Sequence, residues 1–127
     1  MGIMLYPNDG DVPGLDVSWS YSGFHMFRQW LAEAEGFVLT EMHGYGGDRP
    51  WTGVSTTLTP LLHHPDDGGP DLTPAQCAAM LPRLEEIARR PPAGDDPDVL
   101  GGRVEDLRRL IAVLRRCLDE DVGLGFG

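Results

Sequence analysis

The residues best placed for chemistry lie in two loops. His43-Gly44-Tyr45-Gly46-Gly47-Asp48-Arg49-Pro50-Trp51 is rich in glycine, and His63-His64-Pro65-Asp66-Asp67-Gly68-Gly69-Pro70-Asp71 is the most polar stretch of the chain. Imidazole and carboxylate together suit zinc, manganese or iron. If the loops converge, His43, His63, His64, Asp66, Asp67 and Asp71 supply the donors for a metal-dependent or small-ligand enzyme. The plainer reading is a solvated loop with Asx turns ahead of a capped helix. Its spacing lacks HExxH, the facial triad and the alternating acids with a terminal Glu of an EF-hand. We therefore expect no cofactor and no held metal.

Other constellations are weaker. The first loop contains GxGG, which is neither of the phosphate-cradling patterns GxGxxG and GxxxxGK[ST]. Ser18, Ser20 and Ser22 alternate along a strand, outside any GxSxG elbow. Glu85–Glu86 and Asp95–Asp96 are sequence neighbours, not facing carboxylates. Cys77 and Cys117 have no CxxC spacing and fall on the apolar stripes of two predicted helices, so both are expected to be buried and reduced. His25 reads as a partly exposed helix residue.

Charge narrows the partners. The chain carries 20 acids against 10 cations, a net charge of −10, and every cation is arginine. Residues 1–74 hold ten acids and two arginines. Nucleic-acid binding needs clustered cations, which this part cannot offer. Arg89–Arg90, Arg108–Arg109 and Arg115–Arg116 read as solvated helix faces interleaved with acids. An acidic surface suits a basic protein partner. Tyr45 and Trp51, beside the loop histidines and aspartates, are natural anchors for one.

The elements that must position these residues follow from periodicity. Ile3–Tyr6 and the alternating Leu15, Val17, Trp19 and Tyr21 predict two strands. Phe24, Phe27, Leu31 and Ala34 predict a helix capped by Ser22 and ended by Gly36. Phe37–Met42 is expected as a strand or an extended edge, and Ser55–Leu62 as a strand or helical turn. Thr73-Pro74-Ala75-Gln76 is a capping box with proline pre-set for the first helical position. The helix it opens carries Cys77, Met80, Leu84 and Ile87 inward, with Pro82 expected to kink it. After a break over Pro91–Asp98, a last helix carries Val104, Leu107, Leu110, Leu114 and Leu118. Val122, Leu124 and Phe126 predict a closing strand. The expected fold is one α+β domain over 1–127, a small antiparallel or mixed sheet packed against about three helices. The start lacks a basic n-region and a long apolar run, and no stretch is long and apolar enough to span a bilayer. That gives an expectation of a reduced, cytoplasmic setting with no membrane partner.

Two stretches carry a resemblance. Trp19-Ser20-Tyr21-Ser22-Gly23-Phe24-His25-Met26-Phe27-Arg28 is one. His64-Pro65-Asp66-Asp67-Gly68, with Leu72-Thr73-Pro74-Ala75-Gln76-Cys77 and Pro82-Arg83-Leu84, is the other. Together they resemble a family of small hypothetical proteins from actinobacteria and their phages, in keeping with a lysine-free, Ala-, Gly- and Pro-rich composition. That family's pattern has Ser and Cys where this chain has Pro65 and Asp67. The resemblance implies one fold and one polar loop, with no assigned activity. The early strand, the Gly-Phe-His-x-Phe helix start and the acidic α+β layout also resemble small bacterial immunity proteins. The expected function is a non-enzymatic, acidic protein-binding module of immunity or phage-inhibitor type.

Overall fold

Ile3, Leu5 and Pro7 alternate inward along β1 (Gly2–Pro7), and their burial makes it the central strand of the sheet. β2 (Val17–Ser20) lies antiparallel on one side, pairing Leu5 with Val17 and Gly2 with Ser20. β3 (Leu124–Phe126) lies antiparallel on the other, pairing Leu5 with Phe126 and Pro7 with Leu124. Pro7 is tolerated because it ends the strand, where its missing N–H costs no ladder bond. The computed structural model describes residues 2–8, 16–64, 70–91 and 96–127.

Three long helices accompany this sheet, two of them packed directly on it and the third on one of those two, so the chain is α+β. α1 (Tyr21–Ala34) starts directly from β2. Its cap is Ser20, whose hydroxyl accepts from the Gly23 N–H at 3.0 Å, and not Ser22. Tyr21, expected as the last strand residue, is the first helical one. Trp19 stacks on Phe24 and Phe27, with centroids 5.1 and 4.8 Å apart, and its indole N–H donates to Asp106 at 3.0 Å. Gly36, at φ 86°, takes the left-handed conformation that ends the helix.

The segment after α1 departs from expectation. Phe37, Leu39 and Met42 are buried, but no strand forms: Leu39–Glu41 is a 3₁₀ turn. The Glu41 and Met42 N–H groups are spent on Val38 and Leu39 carbonyls at 3.1 and 3.0 Å, which removes them from any ladder. Further on, α2 (Thr59–Leu62) is a single turn, the helical alternative for that segment.

α3 (Pro74–Arg89) opens with the capping box complete. The Thr73 hydroxyl accepts from Gln76 N–H at 3.1 Å, and Thr73 N–H donates to the Gln76 side chain at 2.9 Å. Pro82 lies exposed within this one helix, and its missing N–H leaves the Ala78 carbonyl without its helical donor. α4 (Pro97–Glu120) is capped by Asp96, so Pro97 and Asp98, expected in the preceding break, belong to the helix. Cys77, Met80, Leu84 and Ile87 of α3 join Leu107, Leu110, Ile111, Leu114 and Cys117 of α4 in the core. Arg83, Arg115 and Arg116 pair with Glu35, Glu85 and Glu120. No helix among the described residues is long and apolar enough to cross a membrane.

Candidate functional site

The glycine-rich loop folds back on itself. His43 N–H donates to Arg49 O and Arg49 N–H to Glu41 O, both at 3.0 Å, while Tyr45 N–H donates to Met42 O at 3.0 Å. Gly44 and Gly46 have φ of 92° and 102°. Gly47 lies so close to the Glu41 backbone that a Cβ there would run into the Glu41 carbonyl. The glycines serve this tight return and the side chain it carries.

That side chain is Tyr45. Its hydroxyl faces the Leu62 carbonyl at 2.6 Å and the His64 carbonyl at 3.3 Å. The Leu62 carbonyl closes α2, and the His64 carbonyl lies two residues beyond it. The second donor to the His64 carbonyl is Arg28 Nη1, at 2.6 Å. Arg28 comes from α1 and is fully buried. Its guanidinium lies over the Phe24 ring at 4.3 Å and the Tyr45 ring at 5.3 Å. One buried arginine thus joins α1, the glycine-rich loop and the end of α2.

The two adjacent histidines diverge. His64 turns inward, 6% exposed, with its ring stacked on Phe126 at 3.7 Å. Its Nε2 is 2.7 Å from the Pro70 carbonyl. A carbonyl can only accept, so this nitrogen carries the hydrogen. His64 is therefore a strut between α2, the start of the 70–73 segment and β3. His63 turns outward and stacks on Trp51 at 4.4 Å and 15°.

Trp51 sits in a 3₁₀ turn, Trp51–Gly53, and is half-buried. Its indole N–H donates to His43 O at 2.9 Å. Its ring meets the edges of Phe37 and Tyr45 at 6.0 and 5.9 Å. His25 extends the row, stacked on Tyr45 at 6.2 Å. The result is a run of rings, His25, Tyr45, Trp51 and His63, with Phe37 behind it and exposed His43 at its edge.

The two loops therefore do converge at His43, Tyr45, Trp51, His63 and His64. Asp66 and Asp67 lie outside the described residues. Asp71 is held elsewhere: it accepts from Asn8 Nδ2 at 2.5 Å, next to the Leu72–Leu124 bridge. Among the described residues no three His, Cys, Asp or Glu side chains gather as a metal set. What the rings offer is π surface with fixed orientation, suited to stacking and to cations.

Sequence reasoning missed Arg28 and undervalued His25. Arg28 was findable, since it lies on the same helical face as Phe24, Phe27 and Leu31. Phe126 and Phe37 reach the site only through tertiary packing, and no local pattern announces that. Comparison with protein-family models, curated proteins and solved structures gave no match.

Proposed function

We propose that this chain is a non-enzymatic protein-binding module of immunity or phage-inhibitor type. It docks a basic protein partner through the face formed by His25, His43, Tyr45, Trp51 and His63. The observation that carries this reading is the ring row itself, half-exposed at Trp51 and Tyr45 and open at His63. Aromatic anchors dominate interface energetics, and anchors already fixed in place lose less entropy on binding. Tyr45 and Trp51 are both fixed by hydrogen bonds to backbone carbonyls.

Charge favours a basic partner. Of the two arginines in residues 1–74, Arg28 is buried, which leaves Arg49 to oppose ten acids. A partner's arginine laid over Trp51 or His63 gains cation–π attraction, and the acidic field speeds its arrival.

The test is site-specific crosslinking. A photo-reactive residue replacing His63 should capture a protein of net positive charge from an actinobacterial extract. The same residue replacing Arg108 should not. Adding Trp51→Ala should cut the yield at least tenfold. Equal capture from both positions, or a captured protein of net negative charge, overturns the proposal. So does a stoichiometric metal held by His63 or His64 with Asp66 or Asp67, found by elemental analysis and spectroscopy, which promotes the metal-dependent enzyme instead.

A further inference from the structure

A groove of about 750 Å³ opens where the 55–57 segment passes the middle of α3, a volume usual for a ligand site. Glu35, from the end of α1, is part of its wall, with a side chain only 10% exposed. One carboxylate oxygen accepts from the Thr56 hydroxyl and the other from Arg83 Nε, both at 2.7 Å. Arg83 directs its other nitrogens to the Ala34 carbonyl, 3.0 Å from Nη2, and to Glu86, 3.4 Å from Nη1. The guanidinium that lines the groove is therefore fully engaged and is not free to receive an anion.

The groups left over on the walls are acceptors. Glu86 is 54% exposed and holds Arg83 only loosely. The hydroxyls of Ser55 and Thr57 make no hydrogen bond among the described residues. Pro82, also on the wall, leaves the Ala78 carbonyl without its helical donor. Two carboxylates against one guanidinium leave an excess of negative charge. A groove of this composition suits a cation with several N–H groups.

The groove adjoins the ring row. Glu35 lies just before Phe37, and Ser55 just after the Trp51–Gly53 turn, while the Phe37 and Trp51 rings meet edge to face at 6.0 Å. The bond from Thr56 to Glu35 ties the same two stretches together at the groove.

We propose that this groove is a second cation subsite of the docking face, so that the partner lays one arginine on Trp51 and His63 and places another in the groove. The inference rests on the ring-row reading and deepens it. The second guanidinium donates to Glu86 in a charge-assisted bond and gives its remaining N–H groups to the Ser55 and Thr57 hydroxyls. Two cation sites on one face favour a segment with two arginines over one with a single arginine, because the second contact is made within the complex. Aromatic stacking holds the first arginine, and hydrogen bonding to carboxylate and hydroxyls selects the second.

The experiment is a ¹⁵N–¹H NMR titration of the full chain with N-acetyl-arginine methylamide. The expected result is saturable shifts at two places, the Trp51 indole N–H and the amides of 55–57 and 83–86. The citrulline analogue, which has the same shape and no charge, should bind the groove about fivefold more weakly or worse, the loss expected for one charged hydrogen bond. Glu86→Gln alters an exposed side chain, and an otherwise unchanged spectrum verifies its fold. It should weaken the groove shifts by a similar factor and leave the Trp51 response intact. Shifts at Trp51 with none in the groove overturn this inference and leave the ring-row reading standing. Shifts in the groove with none at Trp51 defeat the ring-row reading, and the paired site with it. Equal groove shifts with citrulline, or in Glu86→Gln, also overturn the inference.

Discussion

Arg28 is the residue on which the ring face rests. Its guanidinium lies between two aromatic rings and donates to the His64 carbonyl, with no solvent exposure. Replacing it with alanine removes a charge-assisted hydrogen bond and opens a cavity. Arg28→Ala should lower unfolding stability by about 3 kcal/mol in urea melts, within the range for such losses. Arg28→Lys should recover little of it, because an ammonium cannot reproduce the planar contact. A loss under about 1 kcal/mol would mean that the face does not depend on this residue. Gly47 is the second single-residue test. A methyl group there meets the Glu41 backbone, so Gly47→Ala must move the loop that holds Tyr45. The expected result is a loss of about 2 kcal/mol together with changed Tyr45 and Trp51 ring signals in NMR. The glycines were legible as a tight loop, since no other residue type is so permissive. The inward arginine was harder to read, because arginine is mostly exposed and its helical spacing was the only local sign.

Among the elements, α3 was the most legible, because its start is specified within four residues. Thr73 and Gln76 satisfy each other's backbone donors whatever the rest of the fold does. Thr73→Ala should cost about 1 kcal/mol, read from chemical denaturation, and leave the fold unchanged. No change would show that the box is idle. The segment at 37–42 was the least legible. Phe37 and Leu39 alternate as a strand would, but the Glu41 and Met42 N–H groups turn back onto the Val38 and Leu39 carbonyls, and a 3₁₀ turn places Met42 inside instead. Alternation over so few residues does not separate these outcomes, and tertiary context chose. Periodicity placed Cys77 and Cys117 on buried stripes, but which residues of two helices touch depends on how those helices pack.

On the scale of the whole molecule, charge separates the classes of partner. The eight arginines of residues 75–127 lie among ten acids, and several are already in ion pairs on α3 and α4. Without a cation cluster there is little counterion release on meeting DNA. Fluorescence anisotropy with a labelled duplex near physiological salt should detect no binding, and sub-micromolar, salt-sensitive binding would contradict the charge argument. The α+β class was legible from the order of strands and helices. Convergence of the two loops was not, because it depends on α1 supplying Arg28 and on β3 supplying Phe126 from the opposite end of the chain. The central claim is that the ring row is where a basic protein docks. It is tested most directly by ¹⁵N–¹H NMR of the labelled chain titrated with the partner captured at position 63. The account predicts the largest shifts at the Trp51 indole N–H and at the amides of 43–47 and 61–64, weakening as salt is raised. Shifts confined to the exposed face of α4 around 99–108, with the ring row unchanged, would contradict it.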